Sequence, residues 1–73
     1  MRTKAEFPIK PIERIAKNAG AKRISKTALK TLRSIMLDYA EDLAKDIVAV
    51  SKHAERNTVL RKDVLLVKKL HSR

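Results

Sequence analysis

The chain has 73 residues with one glycine, one phenylalanine, one tyrosine and neither cysteine nor tryptophan. This length allows one small domain, and the missing cysteines exclude disulfides and thiolate metal sites. The formal net charge of +10 is concentrated in residues 1–35 and 56–73, whereas residues 36–55 are acidic. Such a segregated basic surplus favours a polyanionic partner and predicts salt-dependent binding.

The N-terminal part reads as a short basic tail over residues 1–6, with one domain over residues 7–71. No apolar run is long enough for a transmembrane span, and the N-terminus has no apolar signal-peptide core, so we expect neither. A short helix is predicted from about Pro11 to Ala19, because proline suits the first helical position. Gly20 follows this helix, where a left-handed residue commonly ends one.

Residues 25–54 contain neither glycine nor proline. Their apolar side chains recur in steps of three or four, which is the period of a helix, at Leu29, Leu32, Met36, Tyr39, Leu43, Ile47, Val50 and Ala54. Ser25 is the predicted N-cap. A helix of this span is roughly 45 Å long, which exceeds the width of a compact domain of this size. We therefore expect a second chain, most simply another copy, to cover it.

The C-terminal part predicts a turn over residues 55–58 and a third helix from about Arg61 to Leu70. Val64, Leu66 and Val67 are apolar residues of this helix. The sequence therefore predicts an all-α fold with a short helix, a long central helix and a short helix.

Catalytic and metal-binding patterns are missing from the sequence. Ser51 lies two residues from His53, so the two side chains point away from each other on a helix. Asp42 and Asp46 share a helix face, but no histidine pattern for a metal site accompanies them. The single glycine excludes a glycine-rich phosphate loop. We expect no enzymatic activity, no cofactor and no bound metal.

Basic side chains cluster beside two predicted helix N-termini, whose free amides and positive dipole end suit phosphate. These side chains are Lys22, Arg23, Lys26 and Lys30 at the long helix and Arg56, Arg61 and Lys62 at the third. The scarcity of aromatic residues argues against a single-strand or RNA platform. Because only Asn18 and Asn57 could read base edges as amides, backbone and shape readout of a duplex is expected.

Two segments carry a resemblance to a known family. Residues 7–25, FPIKPIERIAKNAGAKRIS, resemble the opening of archaeal histones, and residues 52–63, KHAERNTVLRKD, resemble their second loop. The resemblance covers residues 7–70 and implies the histone fold, in which two chains clasp head to tail. It also implies a chromosome-associated cytoplasmic protein that packages double-stranded DNA as a homodimer or with a paralogue.

The resemblance implies roles for individual residues. Arg14 resembles the arginine that enters the minor groove, and Arg23 and Thr58 resemble a loop pair that forms between the two chains beside DNA. Arg56 and Asp63 resemble a buried ion pair. The implied DNA-binding residues are Arg14, Lys17, Lys22, Arg23, Ser25, Lys26, Asn57, Thr58 and Arg61.

Assembly beyond the dimer is also implied by the resemblance. His53 and Asp63 would meet across a dimer–dimer interface flanked by Val50 and Leu66, which allows tetramers or longer stacks. Gly20 leaves room for neighbouring dimers to stack closely.

Several residues depart from the family pattern. Glu13 would repel phosphate beside Arg14, and Glu55 replaces a frequent glycine, so we expect an altered turn there. Leu65 and Ser34 are uncharged where stacked dimers would form ion pairs, although Asp38 and Lys69 could still form one. Leu65 could instead mark an additional contact surface.

Three other function classes remain as alternatives. A histone-fold heterodimerisation module of a transcription regulatory complex would bind DNA only secondarily, and the basic loops disfavour it. A sequence-specific helix-turn-helix repressor is disfavoured by the length and acidic centre of the long helix. A membrane-surface helix is disfavoured because the apolar stripe is needed for folding.

Overall fold

The structure, a computed structural model, describes residues 4–71. A 3₁₀ turn over Lys4–Glu6 precedes three α-helices, namely α1 over Lys10–Asn18, α2 over Lys26–His53 and α3 over Arg61–His71. Residues 4–71 contain no strand. The predicted all-α order of short, long and short helices is therefore confirmed. The chain divides into two compact units, the first ending at Asp38 and the second beginning at Tyr39.

The N-terminus of α2 is capped as the sequence predicts. The Ser25 hydroxyl accepts a hydrogen bond from the Ala28 amide at 3.1 Å, and the Ser25 carbonyl accepts the Leu29 amide at 3.0 Å. The hydroxyl bond satisfies one of the first-turn amides that have no intrahelical acceptor, and the carbonyl bond is the first helical bond of α2. Together they fix the point at which α2 begins.

The ends of α1 and α2 use the same backbone motif. After α1, Gly20 has φ 112°, and the amides of Gly20 and Ala21 bond to the carbonyls of Lys17 and Ala16 at 3.0 and 3.1 Å. This pair of bonds is a Schellman motif, which requires a left-handed residue where glycine costs least. Gly20 thus has the conformation that its position predicts.

After α2, Glu55 takes the place of the left-handed glycine, with φ 59°. The Glu55 amide bonds to the Lys52 carbonyl at 2.8 Å and the Arg56 amide bonds to the Ser51 carbonyl at 3.0 Å. The expectation of an altered turn is therefore wrong. The hydrogen bonds of the turn hold a side-chain-bearing residue in a conformation that L-residues adopt only at an energetic cost.

The segment before α1 contacts α2 within the first unit. Arg33 Nη1 donates to the Phe7 carbonyl at 2.9 Å and lies 3.4 Å from the Ala5 carbonyl, and Lys4 forms an ion pair with Asp38. The predicted tail over residues 1–6 thus includes an ordered turn at residues 4–6, and its residues 1–3 lie outside the described part. Asp38, expected to pair with Lys69 of a stacked dimer, pairs with Lys4 inside the chain.

The apolar core of each unit is small. Ile12 and Leu29 are buried in the first unit, and Val67 is buried in the second. In contrast, Ile35 is 60% exposed, Tyr39 57% and Leu70 70%. A chain that leaves such side chains in water has more apolar surface than it can cover by itself.

Candidate nucleic-acid interface

The first part of the interface lies around the end of α1 and the start of α2. The side chains predicted to bind DNA here are all exposed, and they are Arg14, Lys17, Lys22, Arg23, Ser25 and Lys26. Lys26 is the first residue of α2, where the amides of the first turn have no intrahelical acceptor. Amides, dipole and cationic side chains together make a suitable site for a phosphate group.

Glu13 brings a negative charge into the first unit. With Ile9, Lys10, Ile24, Lys26 and Leu29 it lines an open cleft of about 390 Å³. Glu13 is only partly exposed, and its neighbours in the cleft include two lysines. Cationic neighbours offset part of the repulsion that a carboxylate exerts on phosphate.

The second part of the interface is the loop between α2 and α3, residues 54–60, called the second loop below. Asn57 and Thr58 are exposed on this loop, as is Arg61 at the start of α3. All three were predicted to bind DNA.

Arg56 and Asp63, the predicted ion pair, join this loop to α3. The Arg56 guanidinium donates two parallel hydrogen bonds to the Asp63 carboxylate, at 2.7 and 2.8 Å, and the Leu60 amide donates a third at 2.8 Å. Asp63 is 2% exposed. The hydrogen bonds from Arg56 and then from Leu60 lower the pKa of Asp63 from its ordinary 3.8 to about 2. The hydrogen bond to Asp63 correspondingly raises the pKa of Arg56.

The carboxylate of Asp63 therefore has little surface left for another chain. Both of its oxygens accept hydrogen bonds within the second unit. Of the other predicted dimer–dimer residues, Val50 is partly exposed, His53 is exposed and Leu66 is 45% exposed. A contact from His53 of a second dimer would have to use the one lone pair of Asp63 that these three bonds leave free.

Ser51 is a residue of this site that the sequence did not reveal, since it was considered only as a nucleophile. It is 2% exposed, and its hydroxyl donates to the Thr58 carbonyl at 2.9 Å. Arg56 Nη1 donates to the same carbonyl at 3.1 Å. The only sequence signal for this role is that Ser51 is a small polar residue in a turn of α2 that the apolar pattern predicts to be packed.

The C-terminal end of α3 is also tied to α2. His71 Nε2 lies 2.8 Å from Asp46 Oδ2. Within the described residues 4–71 no group of histidine, aspartate and glutamate side chains could hold a metal ion. Over the same residues, no helix has both the length and the apolar character required to cross a membrane.

Comparison with known proteins identifies the family. The family of histone-like transcription factors (CBF/NF-Y) and archaeal histones matches residues 5–67. One of the chains of archaeal histone HAN1 from Thermococcus zilligii is 42% identical over 65 residues, which cover 89% of this chain and 97% of the relative. Probable archaeal histone 3 of Methanocaldococcus jannaschii is 42% identical over 60 residues, covering 82% of this chain and 90% of the relative.

These matches confirm the resemblance and the prediction that the chain is not an enzyme, since the family comprises structural DNA-binding proteins. Three helices without a strand in residues 4–71 are consistent with an all-α histone fold. The chain therefore belongs to the family of histone-like transcription factors (CBF/NF-Y) and archaeal histones, and its three helices are those of the histone fold.

Proposed function

We propose that the protein is a chromatin protein that binds double-stranded DNA with little sequence preference and compacts, bends or wraps it. The observation that carries this proposal is the combination of exposed basic side chains with two helix starts whose geometry is fixed. Ser25 caps α2, and the bonds of Asp63 to Arg56 and Leu60 fix the approach to α3. Backbone amides fixed at a helix start, beside exposed lysine and arginine side chains, are suited to binding the successive phosphate groups of a duplex.

Low sequence preference follows from the side chains at the interface. Arg14 would enter the minor groove, where an arginine senses groove width. Contacts to phosphate from Lys17, Lys22, Lys26 and Arg61 carry no base information. Binding should therefore depend more on salt concentration and on the deformability of the duplex than on its bases.

We propose further that the DNA-binding unit is a head-to-tail dimer with another copy or a paralogue. The exposed Ile35, Tyr39 and Leu70 are apolar surface that a second chain would remove from water. Tyr39→Glu should shift the protein from dimer to monomer in sedimentation equilibrium. Lys45→Glu, an exposed change on the charged side of the same helix that also carries Glu41, should leave the dimer intact. Equal effects of the two changes would contradict this placement of the interface.

Dimers would associate further through Val50, His53, Asp63 and Leu66, and Gly20 would permit close stacking. A Cβ atom added at Gly20 would meet no atom within 4 Å beyond the two adjacent residues, which leaves room for a neighbouring dimer, but at φ 112° any larger residue would also strain the end of α1. His53→Ala should keep the dimer folded and shorten the DNA protected by each assembly. Unchanged protection lengths for His53→Ala would exclude this contact.

Nuclease digestion of duplex DNA saturated with the protein tests the proposed function directly. Regular steps of protected length would support stacked dimers on wrapped DNA. A single short length would support separate dimers or tetramers. No protection at low salt, where the +10 charge per chain binds most tightly, would refute packaging. The heterodimerisation module, which the family's description also covers, would then be favoured.

A further inference from the structure

We propose that Ser51 is a positioning residue of the DNA-binding surface, because its buried hydroxyl fixes the backbone of the second loop and thereby aims Thr58 and Asn57 at the duplex. This inference rests on the proposed DNA-binding function of that loop. It assigns to α2 a role in the interface that is separate from covering the apolar core.

Ser51 contacts the second loop at three points. Its carbonyl accepts the Arg56 amide at 3.0 Å. Its hydroxyl donates to the Thr58 carbonyl at 2.9 Å and lies 3.3 Å from the Arg56 carbonyl. A serine hydroxyl has one proton, so the shorter contact to Thr58 is the principal hydrogen bond.

The direction of this hydrogen bond is unusual for a serine inside a helix. Such a serine commonly donates back to a carbonyl one turn earlier in its own helix. The Ser51 hydroxyl instead donates forward, across the end of α2, to a residue seven positions later. The bond therefore satisfies no backbone group of α2, and it restricts the backbone of the second loop instead.

Burial makes the bond hard to replace. Ser51 is 2% exposed, so water has no free access to substitute for its hydroxyl. The Thr58 carbonyl accepts from both Ser51 and Arg56, which uses both of its lone pairs. Two donors from different directions fix the plane of the Thr58–Val59 peptide. The exposed side chain of Thr58 therefore extends from a backbone whose rotation is restricted.

Hydrogen exchange tests the anchoring step on the DNA-free protein. In Ser51→Ala, the amides of Arg56 and Leu60, which donate to the Ser51 carbonyl and the Asp63 carboxylate, should exchange about fivefold faster, as expected for the loss of one net hydrogen bond. Ser34→Ala, a change at a partly exposed serine of the same helix, should leave these amides unchanged. Unchanged exchange of the Arg56 and Leu60 amides in Ser51→Ala would overturn the proposal, whether or not the protein binds DNA.

A double-mutant cycle tests the link to DNA. Ser51→Ala should weaken binding to a duplex by about three- to tenfold, a range set by the worth of one hydrogen bond. Adding Thr58→Ala should then cost less than it does in the wild type, because both changes remove the same contact. Additive losses would mean that Ser51 affects only stability, and would overturn the proposal.

The two experiments also distinguish a folding failure of Ser51→Ala from a failure of the wild type to bind DNA. If Ser51→Ala does not fold, Ser51→Cys keeps nearly the same volume with a weaker donor, and faster exchange limited to the loop is the supporting result. If the wild type itself does not bind DNA at low salt, the proposed function fails. The exchange experiment then still decides whether Ser51 holds the loop.

Discussion

Replacing Glu55 with glycine should stabilise the protein. Glu55 is the left-handed residue of the motif that ends α2, with φ 59°. The left-handed conformation costs an L-residue roughly 1–2 kcal/mol, and glycine avoids this cost. Glycine loses more backbone freedom on folding, which takes back about 0.5–1 kcal/mol. The difference is a net gain of about 0–1.5 kcal/mol per chain, and the proposed dimer would contain the change twice.

Denaturant unfolding at one fixed protein concentration measures this gain, because the stability of an oligomer depends on concentration. The midpoint should rise without a change in slope. Glu55→Gln is the matched control, since it removes the charge near the negative end of α2 but keeps the Cβ atom. A gain for glutamine equal to that for glycine would refute the backbone argument, and a loss for glycine would refute it more strongly.

Four other perturbations have defined outcomes. Because the pKa of Asp63 is lowered, its contribution to stability is complete above about pH 4 and is lost as the pH falls toward 2. In acid unfolding, Asp63→Asn should lack this part of the transition, and a profile identical to that of the wild type would contradict the assignment. Ser25→Ala should lower the unfolding free energy by about 0.5–2 kcal/mol through loss of the helix cap, and Ser25→Asp should recover most of it in the same thermal or denaturant assay. Arg33→Ala should accelerate exchange of the Phe7 amide, which bonds to the Lys4 carbonyl, because the guanidinium bond to the Phe7 carbonyl is lost, while exchange of α3 serves as the internal reference. Arg14→Ala should reduce the slope of log affinity against log salt by about one and weaken binding most on duplexes with a narrow minor groove; an equal loss on all sequences would argue against insertion of Arg14 into the groove.

The helices and their ends could be predicted from the sequence because their determinants are local. The apolar period of α2, the serine before it and the glycine after α1 each act within a few residues. Glu55 shows the limit of this reasoning. Its side chain argued against a left-handed residue, but the two backbone hydrogen bonds of the motif outweighed that preference.

The contacts between distant parts of the chain could not be predicted in the same way. Arg33 reaches the Phe7 carbonyl, 26 residues earlier, and His71 meets Asp46, 25 residues earlier. No local period relates the members of such pairs. The ion pair of Arg56 and Asp63 was anticipated only through the family resemblance, because seven residues and a turn separate the two.

The structure separates what a single chain can fix from what requires a partner. The hydrogen bonds that shape the second loop all lie within the second unit, and they join Ser51, Arg56, Leu60 and Asp63. Ile35 and Tyr39 of α2 and most apolar side chains of α3, in contrast, remain exposed in one chain. Association with a second chain would then supply most of the stability, while the geometry of the second loop, which we propose to bind phosphate, is already encoded in each chain. A change of partner, from a copy to a paralogue, should therefore alter the stability of the dimer much more than the DNA contacts of this loop.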